Sequence, residues 1–472
     1  MCKLILYIFF FLKLQLVFSQ ESKPSIDSEE LDVIIQKGLL FLENNQRTTS
    51  NDTAGSIYFK GEWPVKMGLR SSFFLLGEKK YVDDSNCFAV ASTHNALANI
   101  YLKNPNYESI IPMLEKSMPR ILAYQNGNKF NFWNALTPNR KLKKSDIIGQ
   151  QPLVRRPTNY KLKSKYINNA ANVVEDADDT SLGYMALKLF AQVTNQHSII
   201  PSSHVIAEIY ENYRDINRNN RHWYNYLNGN DYETGAFLTW LGEEYEFKKW
   251  HITKVIAHNA TFFLSFSECF PHAYVPYIPY GSNDLDAVVN ANVLSVLANY
   301  NALHTEGTED AIRYLNEKSS KRKYDRVGIY YPNRYQFPYA VANAYSNGIK
   351  SLEPAKNNII NFLISKQNKN GSWSARKIVN KKDVLQSTAY AVNALLNFDG
   401  MNHPETRKSI EKGIKFLINS KSNYKNEYFW KGGVFFSGGT VVRNTLFWKS
   451  DAFTTAIVLN AFSTYNYLIK NR

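Results

Sequence analysis

Four carboxylates crowd into five positions at Glu175-Asp176-Ala177-Asp178-Asp179, followed by Thr180 and a run of small and apolar residues. Like charges packed that closely cannot all ionise cheaply, so burial leaves at least one carboxyl holding a proton that it can give away. A helix starting here opposes that tendency, because its N-terminal end favours the anion and its free amides favour a capping Asp. Two readings stand: a cap, or an acid whose neighbours hold and polarise it. Asn283-Asp284-Leu285-Asp286 is a second acidic pair in a similar setting, readable as a cap, a cation site or part of the same mouth.

Such groups act together only if the fold gathers them. Each precedes a stretch with small and apolar residues on all sides, the composition of a helix packed all round. Six stretches of this kind begin near Asp84, Asp179, Asp286, Phe337, Gln386 and Asp451. Amphipathic stretches such as Asp32 to Leu42 and Arg407 to Ile418 alternate with them. Between the two types lies a punctuated turn, fullest at Phe362-Leu363, Gln367 and Gly371-Ser372-Trp373. It recurs at Phe41-Leu42 with Gln46, Gly61 and Trp63, and at Phe416-Leu417 with Lys421 where Gln would stand. Weaker copies fall at Ile121-Leu122 with Gln125, Tyr314-Leu315 with Gly328, and Tyr210 with Gly235. One hairpin cannot bury its apolar face alone; repetition closes the core. The expected fold is all-α, an (α/α)6 barrel of six helical hairpins with loop insertions, chiefly within 129–169, 225–234 and 270–282. The inner starts would bring Asp83, Asp84, Asp176 to Asp179, Asp284, Asp286, Gln386 and Asp451 around a cavity mouth.

The pattern Phe-Leu-x3-Gln-x3-Gly-x-Trp at 362–373 resembles the QW motif of the terpenoid cyclase and protein prenyltransferase superfamily, which includes the squalene–hopene cyclases. The resemblance implies the same barrel. Asp176-Ala-Asp178-Asp179-Thr180 is similar to the Asp-x-Asp-Asp-Thr motif of class II terpenoid cyclases. On that resemblance Asp178 is the general acid that protonates an alkene or epoxide, and Asp176 and Asp179 hold and polarise it. Aromatic faces would then stabilise the cation. Asp84, His94, Tyr184, Asp284, Asp286, Tyr339 and Gln386, at or near inner starts, are the candidates for substrate contact. No metal and no cofactor is expected. The chain has no Asp-Asp-x-x-Asp run, and Cys269-Phe-Pro-His272 with Asp284 and Asp286 lacks the prenyltransferase zinc spacing. Two other functions suit the same barrel. One is a carbohydrate-active enzyme pairing Asp178 with Asp84 or Asp286 across a sugar; the other is a non-catalytic ligand-binding barrel.

The N-terminus sets the compartment. Lys3, an apolar run from Leu4 to Leu12, and Ser19 before Gln20 read as a signal peptide over residues 1–20, leaving one barrel domain over 21–472. Export to a periplasm, the exterior or a membrane surface follows. The net charge of +15, from 56 Lys and Arg against 41 Asp and Glu, suits an acidic membrane face or an anionic glycan. Export argues against nucleic acid. The expected partner is a hydrophobic isoprenoid-like small molecule or a glycan. Cys87 and Cys269, the cysteines left after cleavage, form no disulfide framework and are readable as one bridge or two free thiols.

Overall fold

A computed structural model describes residues 26–53, 56–69, 81–136, 154–155, 172–218, 232–242, 278, 283–375, 377–378, 381–438 and 446–471. Its α-helices alternate between two layers. In chain order they are α1 (Ser28–Asn45), α2 (Cys87–Lys103), α3 (Ile110–Leu122), α4 (Ala177–Thr194), α5 (Ser203–Glu211) and α6 (Ala287–Asn299). Then come α7 (Thr308–Ser320), α8 (Gln336–Ser346), α9 (Glu353–Lys366), α10 (Leu385–Asp399), α11 (Pro404–Asn419) and α12 (Asp451–Lys470). Each even-numbered helix packs against the next, and α12 returns to α2, so six inner helices close a ring inside the odd-numbered ones. This is the expected (α/α)6 barrel.

The pattern of small and apolar residues decides which layer a helix joins. From Ala452 to Asn466 every residue of α12 is buried, because inner helices meet neighbours on all sides. In α11 the buried set is Thr406, Ser409, Ile410, Gly413, Ile414, Leu417 and Ile418, a single stripe. Residues at an inner start also fasten the preceding loop. Thr388 Oγ1 accepts from Trp373 N at 3.0 Å, Thr455 Oγ1 from Trp430 N at 3.1 Å, and Thr180 Oγ1 from Phe130 N at 3.0 Å.

The punctuated turns bolt the outer layer together. Trp373, Trp63 and Trp430 are buried, and their indole N–H groups donate to the Leu363, Leu42 and Leu417 carbonyls at 2.8, 2.9 and 2.8 Å. Gln46 Nε2 donates to Gly61 O at 3.0 Å and across to Met113 O in α3 at 2.9 Å. Gln367 Nε2 repeats this with Gly371 O at 2.9 Å and Ser409 O in α11 at 2.8 Å. Gly61 (φ +94°) and Gly371 (φ +88°) lie against the next outer helix; a Cβ there would sit 2.0 Å from Lys116 O or 2.3 Å from Lys412 O. Only glycine fits such a position.

A four-stranded sheet and several two-stranded hairpins have no counterpart in the all-helical expectation. Val65–Leu69 (β1), Val82–Asp84 (β2), Val434–Gly438 (β3) and Leu446–Lys449 (β4) form an antiparallel sheet in the order β3-β4-β1-β2. It joins the loop before the first inner helix to the loop before the last. Helices α1 and α12 are tied as well: Ser28 Oγ donates to Asn466 Oδ1 at 2.7 Å and Lys470 Nζ to Asp32 Oδ2 at 2.5 Å. No helix of the described residues is long and apolar enough to cross a membrane. The expected signal peptide, Cys269, and most of the three expected insertions lie outside the described residues.

A candidate active site at the inner-helix starts

Asp176 caps α4. Its Oδ1 accepts from Asp178 N at 3.1 Å and Asp179 N at 2.8 Å. The cap expected of Asp178 or Asp179 falls instead to Asp176, which leaves those two without that task. Asp178 is only 4 % exposed. Asn292 of α6 donates to its Oδ1 at 2.6 Å, and the buried Tyr331 hydroxyl, from the loop before α8, hydrogen-bonds to its Oδ2. Glu175, the first acid of the run, is half-buried and accepts from Asn126 Nδ2 at 2.8 Å.

Burial, followed by the Asp176 carboxylate and the charge of Asp286, raises the Asp178 pKa well above the carboxylate range; the Asn292 hydrogen bond opposes it. Asp179 is raised well above that range too, by burial and by Asp176 and Asp178. Asp176 is pushed up to about 7 by burial but held back by the amides and side chain of its neighbours. Asp176 is thus the member that ionises first, and Asp178 and Asp179 keep their protons beside it. Cys87, the free thiol that opens α2, is fully buried, and burial and Asp179 raise its pKa.

The second acidic pair is bound into the frame. Asp286 caps α6, with Oδ1 accepting from Val288 N at 2.7 Å and Val289 N at 3.3 Å. Its Oδ2 accepts from Ile329 N at 2.5 Å and Tyr330 N at 3.2 Å, and burial pushes its pKa up to about 6. Asp284 Oδ2 accepts from Trp240 Nε1 at 3.3 Å and from the Tyr330 hydroxyl. Asp84 holds two indoles, Trp133 Nε1 at 3.2 Å and Trp448 Nε1 at 2.7 Å. These carboxylates orient an aromatic floor: Phe132 stacks on Phe436 at 4.9 Å, Phe88 on Phe435 at 5.3 Å, and Tyr331 meets Phe436 edge-on at 5.8 Å.

Among the described residues, a cavity of about 320 Å³ runs inside the inner ring. Of the ten residues singled out from sequence, Tyr339 lines it, 5.2 Å from Tyr390. Asp178 reaches it through Asn292, which both holds the acid and forms cavity wall. Gln386 is fully buried, linking Thr454 Oγ1 at 2.7 Å to Val434 O at 3.3 Å. Tyr184 gives its hydroxyl to Asn128 O at 2.8 Å. His94 lies between the layers with Nδ1 2.8 Å from Ser117 Oγ of α3, and burial pulls it down to about 3, so it is neutral. Asp83, expected with them, is at the surface, paired with Lys66 at 2.5 Å. The sequence reading missed Asn292, Tyr331 and the cavity's asparagines. Asparagines four apart on helices otherwise packed all round, as at Asn95 and Asn99 or Asn393 and Asn397, were the available signal.

No family model matches the chain, and no curated protein matches it in sequence. Solved structures do match. A variant of the type II terpene cyclase MstE from Scytonema, in complex with geranylgeranyl dihydroxybenzoate as substrate, is 13% identical with a TM-score of 0.53, covering 93% of this chain and 99% of that one. Another variant of that enzyme, holding the product merosterolic acid A, gives 12%, 0.51, 93% and 98%. A protein from Actinoplanes gives 12%, 0.50, 93% and 99%. Over nearly the whole of both chains the protein has the terpenoid cyclase-like fold. Identities this low show the fold alone.

Proposed function

We propose that the protein is an acid catalyst of the class II terpenoid cyclase kind, with Asp178 as the general acid. One observation carries the reading: a buried carboxyl that keeps its proton is joined, through Asn292, to the wall of a cavity inside the barrel. A volume of about 320 Å³ falls within the range of roughly 300–1,000 Å³ typical of small-molecule sites. The terpene cyclase-like fold supports the same reaction class.

In this mechanism Asp178 gives its proton to an alkene or epoxide at the start end of the ring. Ionised Asp176, fixed by two backbone amides, holds Asp179 by a side-chain hydrogen bond and keeps both Asp178 and Asp179 in the acid form. Ring closure then proceeds through cations stabilised by aromatic faces, for which Phe88, Tyr339 and Phe453 line the cavity. The last cation loses a proton, so that the product is an isomer of the substrate and Asp178 regains its acid form with no net proton consumed. General acid catalysis typically contributes about 10²–10⁴-fold. Asp178→Asn keeps both side-chain hydrogen-bonding positions and removes the acid. Turnover of C15 to C30 polyprenes and their epoxides should fall by about that factor while the helical circular dichroism stays unchanged. Undiminished turnover in a folded Asp178→Asn protein overturns the assignment.

The proposal includes export by residues 1–20, placing the enzyme where its substrate is a polyprene dissolved in or drawn from a membrane. The intact mass and cell fraction of the protein recovered from the producing cell test this. A chain beginning near Glu21, or an uncleaved one in the membrane fraction, supports it, and one retaining Met1 or Cys2 in the soluble cytosolic fraction overturns it.

A further inference from the structure

The cavity changes character along its length. Toward the inner-helix starts its walls include Phe88, Leu182, Met185, Val288, Phe453 and Ile457. From the helix middles onward asparagine takes over, with Asn95 and Asn460 midway and Asn99, Asn299, Asn343 and Asn397 beyond. A bare hydrocarbon gains nothing from such a wall.

Two of these amides are fixed in orientation. Asn95 Nδ2 donates to Leu182 O at 3.2 Å, so its amide nitrogen is committed to a carbonyl. Asn393 Nδ2 donates to Ala389 O and Ile457 O, each at 2.9 Å, which turns its oxygen toward Asn460 Nδ2 at 3.0 Å. That leaves the carbonyl oxygens of Asn95 and Asn460 without a hydrogen-bond partner among the described residues; Oε1 of Gln336 also has none but, on the first residue of α8, lies at the start end. All three side chains line the cavity at 8, 7 and 4 % exposure. A buried acceptor left unmade costs free energy that a donor recovers. The missing partner is therefore a hydrogen-bond donor in the cavity.

Charge narrows its nature. The waiting groups are amide carbonyl oxygens, which only accept, so an anion with no donor of its own leaves them unmade. Lys103 of α2 also lines the cavity, with Nζ donating to Asn99 O at 3.3 Å, and disfavours a cation. A neutral group that donates to these oxygens and can also accept from Lys103 Nζ at the same atom is a hydroxyl, which an amide or indole N–H is not. We propose that the asparagine-lined half of the cavity receives the hydroxyl-bearing end of the ligand, so the substrate is an amphiphile with an apolar chain toward Asp178 and a neutral hydroxylated head. The inference deepens the function proposed above and rests on that reading for the chain, but not for the head.

Binding to the full-length protein tests it without any turnover. Three probes are compared by calorimetry in one detergent buffer: a geranylgeranyl-substituted hydroquinone, the C20 hydrocarbon of the same chain length, and cellobiose. The prenylated hydroquinone should bind at least about ten-fold more tightly than either of the others, a factor equal to 1.4 kcal/mol. Asn95→Leu with Asn460→Leu should abolish its advantage over the hydrocarbon, and Asp178→Asn should preserve it. Equal binding of hydroquinone and hydrocarbon, or an advantage that survives the double Leu variant, overturns the hydroxyl head. Cellobiose binding as tightly as the hydroquinone overturns the apolar chain and makes the ligand a sugar. The wild-type series decides the matter even where the double variant does not fold. A preference that persists while Asp178→Asn retains full turnover separates a correct head from a wrong acid.

Discussion

Asp178 owes its chemistry to three distances in sequence. Asp176, the nearer carboxylate that raises its pKa, is two residues away and is visible in any reading of the chain. Asn292 and Tyr331, which bind its two oxygens, lie 114 and 153 positions on, and no local pattern announces them. The candidate acid was legible for that reason, and its partners were not. Asn292 stabilises the ionised form, so its loss makes Asp178 a weaker acid. Asn292→Leu should lower kcat by about ten-fold and move the alkaline limb of the pH–rate profile upward, where a purely packing effect would leave the limb in place. The same buried acids govern stability. Asp176 and Asp286 titrate near 7 and 6 in the folded protein against 3.8 for the free side chain, so the folded state binds more protons between those values. Stability then falls as pH rises from about 4 through 7. Thermal melts should give the higher Tm at pH 5 than at pH 8, and the opposite order would mean that Asp176 and Asp286 are ionised throughout.

The helical hairpin was the most legible element, because period and punctuation coincide in it. Its third copy shows the limit. Lys421 stands where glutamine would and donates to Ile418 O at 3.1 Å, and the tryptophan is Trp430, displaced by the hairpin of Ser422–Tyr424 and Glu427–Phe429. A spacing rule loses it, although the indole bond to Leu417 O is the same bond. The four-stranded sheet escaped notice because its strands are short and its two halves, 65–84 and 434–449, lie hundreds of residues apart. Glycine separates turn strain from collision. Gly371 and Gly348 both have positive φ, +88° and +113°, but only the former faces a neighbour that a Cβ would strike. Gly348→Ala should cost about 1 kcal/mol from backbone strain, and Gly371→Ala at least about 2 kcal/mol more, by urea denaturation. Equal costs would mean that α11 yields at Lys412.

At the scale of the molecule, closure is everything the inner ring has. Each inner helix is buried by two neighbours, and α12 completes the set between α10 and α2. Deleting residues 451–472 exposes apolar faces of α10, α2 and α1 together. The truncated chain should lose its cooperative thermal transition altogether instead of keeping most of its helicity, as far-ultraviolet circular dichroism would report. A sharp transition in that chain would mean that the barrel tolerates an open seam.

The contact of α1 with α12, through Ser28 with Asn466 and Asp32 with Lys470, has a topological consequence. Like beads on a clasped necklace, the described helices keep their neighbours whichever link is cut. A circular permutant that joins Asn471 to Ile26 through a short glycine–serine linker, and begins at Gly348 between α8 and α9, should fold to the same ring. Gly348 suits the new terminus because nothing lies within 4 Å of where its Cβ would be.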